Sequence, residues 1–307
     1  QKIDILVLEV GMGGRFDASN VVKDTLVSAI ASISLDHTEY LGNTLGEIAF
    51  EKAGIIKENS NVVIYPQDDE IVNVIKEEAK KKNACFYEVN KNNIRKIKSD
   101  LTGQTFSYLK TDVFNLPELK INFLGNYQLY NVLTVLQTLE IIKNLGYNIT
   151  EENIIKGLAN CNYAGRFEIL CKSPVIILDG GHNLNGIEYF SKTVMENFGK
   201  KKIILFYGML KDKNPESVLD YLIPLCKRVY TVTPNSPRAM NSLEMAELIE
   251  KHFNLEVTPL NKVDEIINIL GNVDKDDIVA FVGSLYMIGE VRTLLKKYIE
   301  ADSCSMA

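Results

Sequence analysis

The sequence predicts an α/β protein built as two consecutive domains, and three observations carry that expectation. Short apolar runs rich in Val, Ile and Leu alternate with longer segments of helical period, the pattern of strands in a sheet with helices on its faces. The length of 307 residues suits about two domains at roughly 100–200 residues each. Hydrophobic residues make up 46% and charged residues 24%, a balance that lets each domain bury a core.

In the first half, strands are expected over 3–9, 27–32 and 61–64, where β-branched residues cluster. Helices are expected over 44–56, 69–82 and 127–145, where apolar residues recur at helical spacing. The alternation over 105–109 and the breaks at Asn115 and Pro117 predict antiparallel strands within 90–120. The second half is more regular. Buried strands are expected over 175–178, 203–207, 228–232 and 278–282, with helices over 186–198, 215–225, 242–252 and 285–299. Such alternation gives a mostly parallel sheet covered on both faces. The helical pattern stops near 161–165, where Gly165-Arg166-Phe167-Glu168 opens a new strand, so the domains are expected to span 1–162 and 163–307. The tail 301–307 reads as disordered.

Composition excludes several function classes. Lys and Arg number 34 against 40 Asp and Glu, a net charge of −6 without any basic block, which argues against a nucleic-acid partner. Three histidines leave no room for a His-rich metal cluster. Cys85, Cys161, Cys171, Cys226 and Cys304 are scattered and never spaced C-x-x-C, so reduced thiols and a cytoplasmic location are expected. No apolar run reaches membrane length, and the run 5–10 lacks the basic leader of a signal peptide. The chain opens Gln1-Lys2-Ile3-Asp4 without an initiator Met, which reads as a start inside a domain.

Ligands of parallel sheets bind beyond the carboxyl ends of the strands, so the residues after each run carry the functional candidates. The first run delivers Glu9, then Gly11-Met12-Gly13-Gly14. A carboxylate followed by small residues suits a hard cation beside a phosphate, and a plain glycine turn is the simpler alternative. The third glycine of a dinucleotide fingerprint is missing, and no G-x-x-x-x-G-K-[ST] occurs anywhere. His37 follows the second run, where a neighbouring parallel strand would bring it to one rim with Glu9. Carboxylate and imidazole together suit a divalent metal with positions open to phosphate oxygens. Lys52, among apolar helix residues, is either a snorkelling surface charge or a buried amine open to chemical modification. Asp179-Gly180-Gly181-His182 ends another run, and reads either as a nucleotide-facing turn or as a helix cap at Asn183 or Asn185.

Taken in order, these segments resemble the folylpolyglutamate synthase/dihydrofolate synthase family of the Mur ligase group. The likeness lies in Glu9-Val10-Gly11-Met12-Gly13-Gly14-Arg15-Phe16-Asp17-Ala18-Ser19-Asn20, Leu35-Asp36-His37-Thr38 and Phe50-Glu51-Lys52-Ala53-Gly54-Ile55. It continues through Gly125-Asn126-Tyr127-Gln128, Gly165-Arg166-Phe167-Glu168, Leu178-Asp179-Gly180-Gly181-His182-Asn183, Gly208-Met209-Leu210-Lys211-Asp212-Lys213 and Gly283-Ser284-Leu285-Tyr286. The resemblance implies an incomplete P-loop-type ATPase domain followed by a Rossmann-like, mostly parallel α/β C-terminal domain. It implies ATP-dependent ligation of L-glutamate to a folate, tetrahydrofolate or its polyglutamates, through an acyl phosphate.

By similarity, Glu9 and His37 would hold Mg2+, and Lys52 would be carbamylated. Asn131 would face the nucleotide base, Arg166 the phosphates, and Asp179 with His182 the ATP and acyl-phosphate end. Lys52, His37, Arg166 and His182 would then carry the chemistry, with Lys211, Asp212, Ser284 and Tyr286 in supporting motifs. A monomer without membrane or nucleic-acid partners is expected. Two departures stand out. Asn126-Tyr127-Gln128 replaces a His-Gln pair common in the family, and the family's P-loop, which lies upstream of the Glu9 motif, has no counterpart here, so turnover is expected of a full-length parent rather than of this chain alone. Another Mur-type ligase acting on a peptidoglycan precursor, or a non-catalytic nucleotide-binding fragment, are the alternative readings.

Overall fold

The computed structural model describes residues 3–211 and 215–301. Gln1, Lys2, Asp212, Lys213, Asn214 and the tail from 302 lie outside the described residues. The chain divides into two compact units. Unit 1 comprises 1–96, 106–119 and 127–157, and unit 2 comprises 97–105, 120–126 and 158–307.

In unit 1, β1 (Val27–Ile30), β2 (Asn61–Ile64) and β3 (Cys85–Glu88) form a parallel sheet in that order. Ser28 is paired with Val62, and Val62 with Phe86. The intervening helices are α1 (Thr38–Leu41), α2 (Leu45–Ala53) and α3 (Asp69–Lys81). Thr44 and Glu47 start α2 with a reciprocal capping box, which satisfies two free amides of the first turn. Ile71, Val72, Ile75 and Ala79 form the buried stripe of α3 and pack with Ile48, Ala49, Val62 and Ile64. A stripe of this spacing is what places α3 over the sheet.

The region 90–120 does contain strands. β4 (Ile94–Asp100), β5 (Gly103–Tyr108) and β6 (Leu119–Ile121) form a second three-stranded sheet. A Cβ at Gly103 (φ 127°) would come within 2.0 Å of the Ile121 carbonyl oxygen, so only glycine permits that approach. The helices α4 (Asn126–Asn144) and α5 (Glu151–Asn160) follow.

The expected strand over 3–9 does not form. Val7 is 91% exposed, and the segment belongs to no strand. Among the described residues β1 pairs only with β2, so residues 3–9 have no neighbouring strand, and a strand persists where a neighbour takes up its backbone donors and acceptors. The second run also stops short, at Ile30 rather than 32.

Unit 2 holds a six-stranded sheet. Its strands are β7 (Glu168–Lys172), β8 (Val175–Asp179), β9 (Ile203–Tyr207), β10 (Cys226–Thr231), β11 (Val257–Pro259) and β12 (Ile278–Val282). Their order is β11-β10-β9-β12-β8-β7, parallel except for β7 against β8. The helices are α6 (Leu184–Phe198), α7 (Glu216–Leu222), α8 (Ser242–Phe253), α9 (Glu265–Leu270) and α10 (Leu285–Ala301). Ala301 is thus helical rather than part of a disordered tail.

Alternate side chains of each strand face opposite sides of the sheet. Ile177, Leu205, Tyr207, Ala280 and Val282 pack with α6, α7 and α8 through Ile187, Phe190, Val218, Leu222, Met245 and Ile249. Ile176, Leu178, Ile204, Phe206, Val279 and Phe281 pack with α9 and α10 through Ile266, Leu270, Ile288, Val291 and Leu295. Both faces are covered, so these strands read as continuous apolar runs in the sequence. The short elements β11 and α9 escaped that reading because neither is long enough to show a period.

Among the described residues no helix is long and apolar enough to cross a membrane. Cys85, Cys161 and Cys226 are free thiols.

Candidate functional site

In unit 1 the glycine motif is a docking loop. Asp17 caps the short helix Ala18–Val21 and accepts from the Met12 amide (2.9 Å), the Ser19 amide (2.9 Å) and the Ser19 hydroxyl (2.5 Å). These bonds, the Ser19 hydroxyl foremost, hold its carboxyl down at about 2. The loop then lies against the last turn of α2. The Arg15 amide donates to the Glu51 carbonyl (2.9 Å), and its guanidinium stacks 3.9 Å over Phe50 and donates to Glu78 (3.2 Å). A Cβ at Gly14 would come within 2.9 Å of the Glu51 and Lys52 carbonyl oxygens. Asn20 donates to the carbonyls of Arg15 (3.0 Å) and Gly54 (3.1 Å), and Lys57 in turn donates to Asn20. Sequence reasoning missed these contacts, because a glycine's need for close approach shows only once its neighbour is known.

Lys52 projects from that clamped turn. Burial pushes its amine below the ordinary lysine value, and the negative charge of Asp36 opposes the shift. The Asp36 carboxylate also accepts from the His37 amide (2.8 Å), so Lys52 and His37 share Asp36 as a neighbour. His37 is exposed, in the left-handed conformation (φ 52°), at the N-cap of α1. Glu9 is exposed on irregular backbone rather than at a strand end. Carboxylate and imidazole are suitable donors for a divalent cation. Among the described residues, however, no three His, Cys, Asp or Glu side chains are gathered to hold one, and the expected rim joining Glu9 with His37 lacks its first strand.

Asn131 lies half-buried in α4 and donates to Gln128 (2.9 Å). Further along the same helix the buried Glu140 accepts from the Tyr108 hydroxyl (2.9 Å) and Gln137 (3.1 Å), and pairs with Lys110.

Unit 2 does bring its candidates together. β12 lies between β8 and β9, with Val282 in register with both Asp179 and Tyr207. Three strand ends therefore abut, and the Gly283 amide donates to the Asp179 carbonyl at 3.4 Å. Such a change of strand order is where α/β sheets open a ligand crevice. Asp179, 5% exposed, accepts from the amides of Phe167 (2.8 Å) and Gly181 (2.7 Å). Burial nevertheless pushes its carboxyl up to about 6, against those donors and the nearby Arg166 and His182. His182 Nδ1 donates to the Gly180 carbonyl (3.0 Å), which assigns the proton to that nitrogen. Asn183 caps α6, so the cap reading of this turn holds alongside the clustering.

Arg166 is half-buried beside Gly180, whose Cβ position lies 3.4 Å from its Nη1. Ser284, 2% exposed, follows β12, and its hydroxyl has no hydrogen-bond partner. A buried orphan of this kind asks for a polar ligand. Lys211 pairs with Glu244 (3.3 Å) at the surface, and Tyr286 is 53% exposed.

A doubly covered, mostly parallel sheet with an acid, a base and an arginine at adjoining strand ends is the architecture of a nucleotide-handling α/β enzyme. The Mur ligase middle domain matches residues 1–139, and the Mur ligase glutamate ligase domain matches 165–285. The dihydrofolate synthase/folylpolyglutamate synthase of Bacillus subtilis is 31% identical over 96% of this chain and 68% of its own length. That of Haemophilus influenzae is 32% identical over 94% and 68%. The structure of folylpolyglutamate synthase from Thermotoga maritima superposes with a TM-score of 0.79 at 31% identity, covering 96% of this chain and 66% of that one. The Mycobacterium tuberculosis enzyme complexed with ADP and AMPPCP superposes with a TM-score of 0.79 at 25% identity, covering 93% and 67%. The chain belongs to the folylpolyglutamate synthase/dihydrofolate synthase family. It spans about two thirds of the length of these relatives.

Proposed function

We propose that the chain serves ATP-dependent ligation of L-glutamate to a carboxylate of folate, tetrahydrofolate or its polyglutamates. The observation that carries this reading is the 31% identity with the Bacillus subtilis relative along 96% of the chain. ATP transfers its γ-phosphoryl group to the folate carboxylate, releasing ADP. The amino group of glutamate then attacks the acyl phosphate, forming the amide and releasing phosphate. Residues 1–162 are read as the Mur ligase central ATPase domain and 163–307 as its C-terminal domain. The protein is read as a cytoplasmic monomer without nucleic-acid or membrane partners.

The geometry supports individual roles. Partial burial lowers the proton affinity of the Lys52 amine, and the neutral amine is the form that adds carbon dioxide to become an anionic carbamate. Arg166 offers a planar fork to phosphate oxygens, and Asn131 is assigned to the base. Asp179 with His182, in a water-poor turn, is assigned to the ATP and acyl-phosphate end. Ser284 offers its unpaired hydroxyl to the same crevice. Mg2+, with Glu9 and His37 as protein ligands, enters the proposal through the family resemblance alone. Magnesium is commonly held by one or two protein groups together with phosphate oxygens.

The test is direct. The purified chain is incubated with ATP, Mg2+, tetrahydrofolate and isotopically labelled glutamate, and the folate is analysed by mass spectrometry. Label incorporated into folate with stoichiometric ADP would uphold this reading. A labelled product formed only with a nucleotide-linked muropeptide would replace this reading by another Mur-type ligase, and ATP binding without any product would reduce it to nucleotide binding.

A further inference from the structure

We propose that Arg292 acts with Glu168 as a positioning pair for Arg166, an inference that rests on the phosphate-facing role given to Arg166 above. The segment Ala164-Gly165-Arg166-Phe167 is not held by local preference. Gly165 (φ 70°) and Phe167 (φ 47°) both occupy the left-handed region. A bulky residue keeps that conformation only where its surroundings impose it.

Three hydrogen bonds impose it. The Gly180 amide donates to the Gly165 carbonyl (2.8 Å), and the Phe167 amide donates to Asp179 (2.8 Å). The third runs from the Gly165 amide to Glu168 Oε2 (2.9 Å), and its direction depends on where that carboxylate points. Arg292 decides this. Its Nε lies 2.9 and 3.0 Å from the two carboxylate oxygens, and its Nη2 lies 2.9 Å from Oε1. A planar fork on a carboxylate fixes orientation as well as distance, which a single ammonium cannot do.

The helix that carries Arg292 is shaped to the same loop. Leu285, Ile288 and Arg292 of α10 are spaced i, i+3, i+7 and share one side of the helix. A Cβ at Gly180 would come within 2.2 Å of Leu285, and one at Gly165 within 2.9 Å of Ile288. The helix therefore backs onto the loop at two glycines and clamps it at a third point. Arg166, between two left-handed residues, leaves the loop beside Gly180 in a direction set by those contacts. Arg292 acts through Glu168 and the loop, not on a ligand, so it is a positioning residue.

The test is a double-mutant cycle on ATP affinity, measured by calorimetry on the full chain. Arg292→Ala is expected to weaken ATP binding about tenfold, with Arg292→Lys intermediate. In an Arg166→Ala background, the same Arg292→Ala change is expected to cost less than about twofold, because its effect passes through the missing guanidinium. A loss that persists undiminished without Arg166, or an unchanged affinity in folded Arg292→Ala, overturns the proposal. If Arg292→Ala fails to fold, Glu168→Gln takes its place in the cycle with the same two outcomes. It keeps an acceptor for the Gly165 amide and removes the charge. A wild-type chain that binds no ATP, or an Arg166→Ala variant that binds it normally, overturns the nucleotide reading itself and the positioning role with it.

Discussion

The Phe167 amide donates a 2.8 Å hydrogen bond to the carboxylate of Asp179, so a left-handed residue and a buried acid hold each other in place. The pairing ties the start of β7 to the end of β8 and sets the floor of the candidate crevice. It also leaves a titratable group where desolvation outweighs two amide donors.

The pH dependence of stability should report that group. Its carboxyl is raised from 3.8 to about 6 in the folded chain, so the native state holds the proton more tightly than the unfolded state. The contribution is fully present below about pH 4, falls as pH rises between about 4 and 6, and is lost above, a change of about 3 kcal/mol. Denaturant unfolding of wild type and Asp179→Asn across that window should show the wild-type stability declining relative to the variant as pH rises. Parallel curves would contradict the assignment.

Lys52→Ala should lower ligase activity by about two orders of magnitude or more, the scale set by losing a group tied to the reacting centre. Added short carboxylic acids should restore part of it if a carbamate is the working form. With 13C-labelled bicarbonate, a carbamate resonance should appear in wild type and be missing from the variant. Its presence in both would place the carbamate elsewhere.

Gly54→Ala should destabilise unit 1. The added Cβ would come within 2.4 Å of the Arg15 Cβ and 2.5 Å of the Arg15 Cα, and backbone cannot step aside as a flexible side chain would. A cost of about 2–3 kcal/mol is expected from thermal unfolding. A neutral effect would show that the docking loop yields.

Glu140→Leu removes the shared acceptor of Tyr108, Gln137 and Lys110. Leaving the Tyr108 hydroxyl and the lysine charge without that partner should cost about 3 kcal/mol. Glu140→Gln, which retains an acceptor for Tyr108, should lose less. Equal losses would mean that the hydrogen bond contributes little.

The sequence by itself determined the α/β class and most of unit 2, because strands buried on both faces must be apolar along their whole length. Runs such as Ile203–Tyr207 and Ile278–Val282 therefore announce themselves, and the polar residues just beyond them mark the rim. The ordered motifs around Glu9, His37, Lys52, Arg166 and Asp179 also pointed to the family. Tertiary structure alone decided which apolar run becomes a strand: residues 5–8 are as apolar as β9 yet remain exposed, with no strand paired to them. It alone showed that Gly14 and Arg15 grip the turn bearing Lys52. It alone brought Arg292, 124 residues from Glu168 along the chain, to the same carboxylate. Periodicity records what is buried, because burial acts residue by residue. It does not record partners, because a hydrogen bond or a close approach depends on two places in the chain at once.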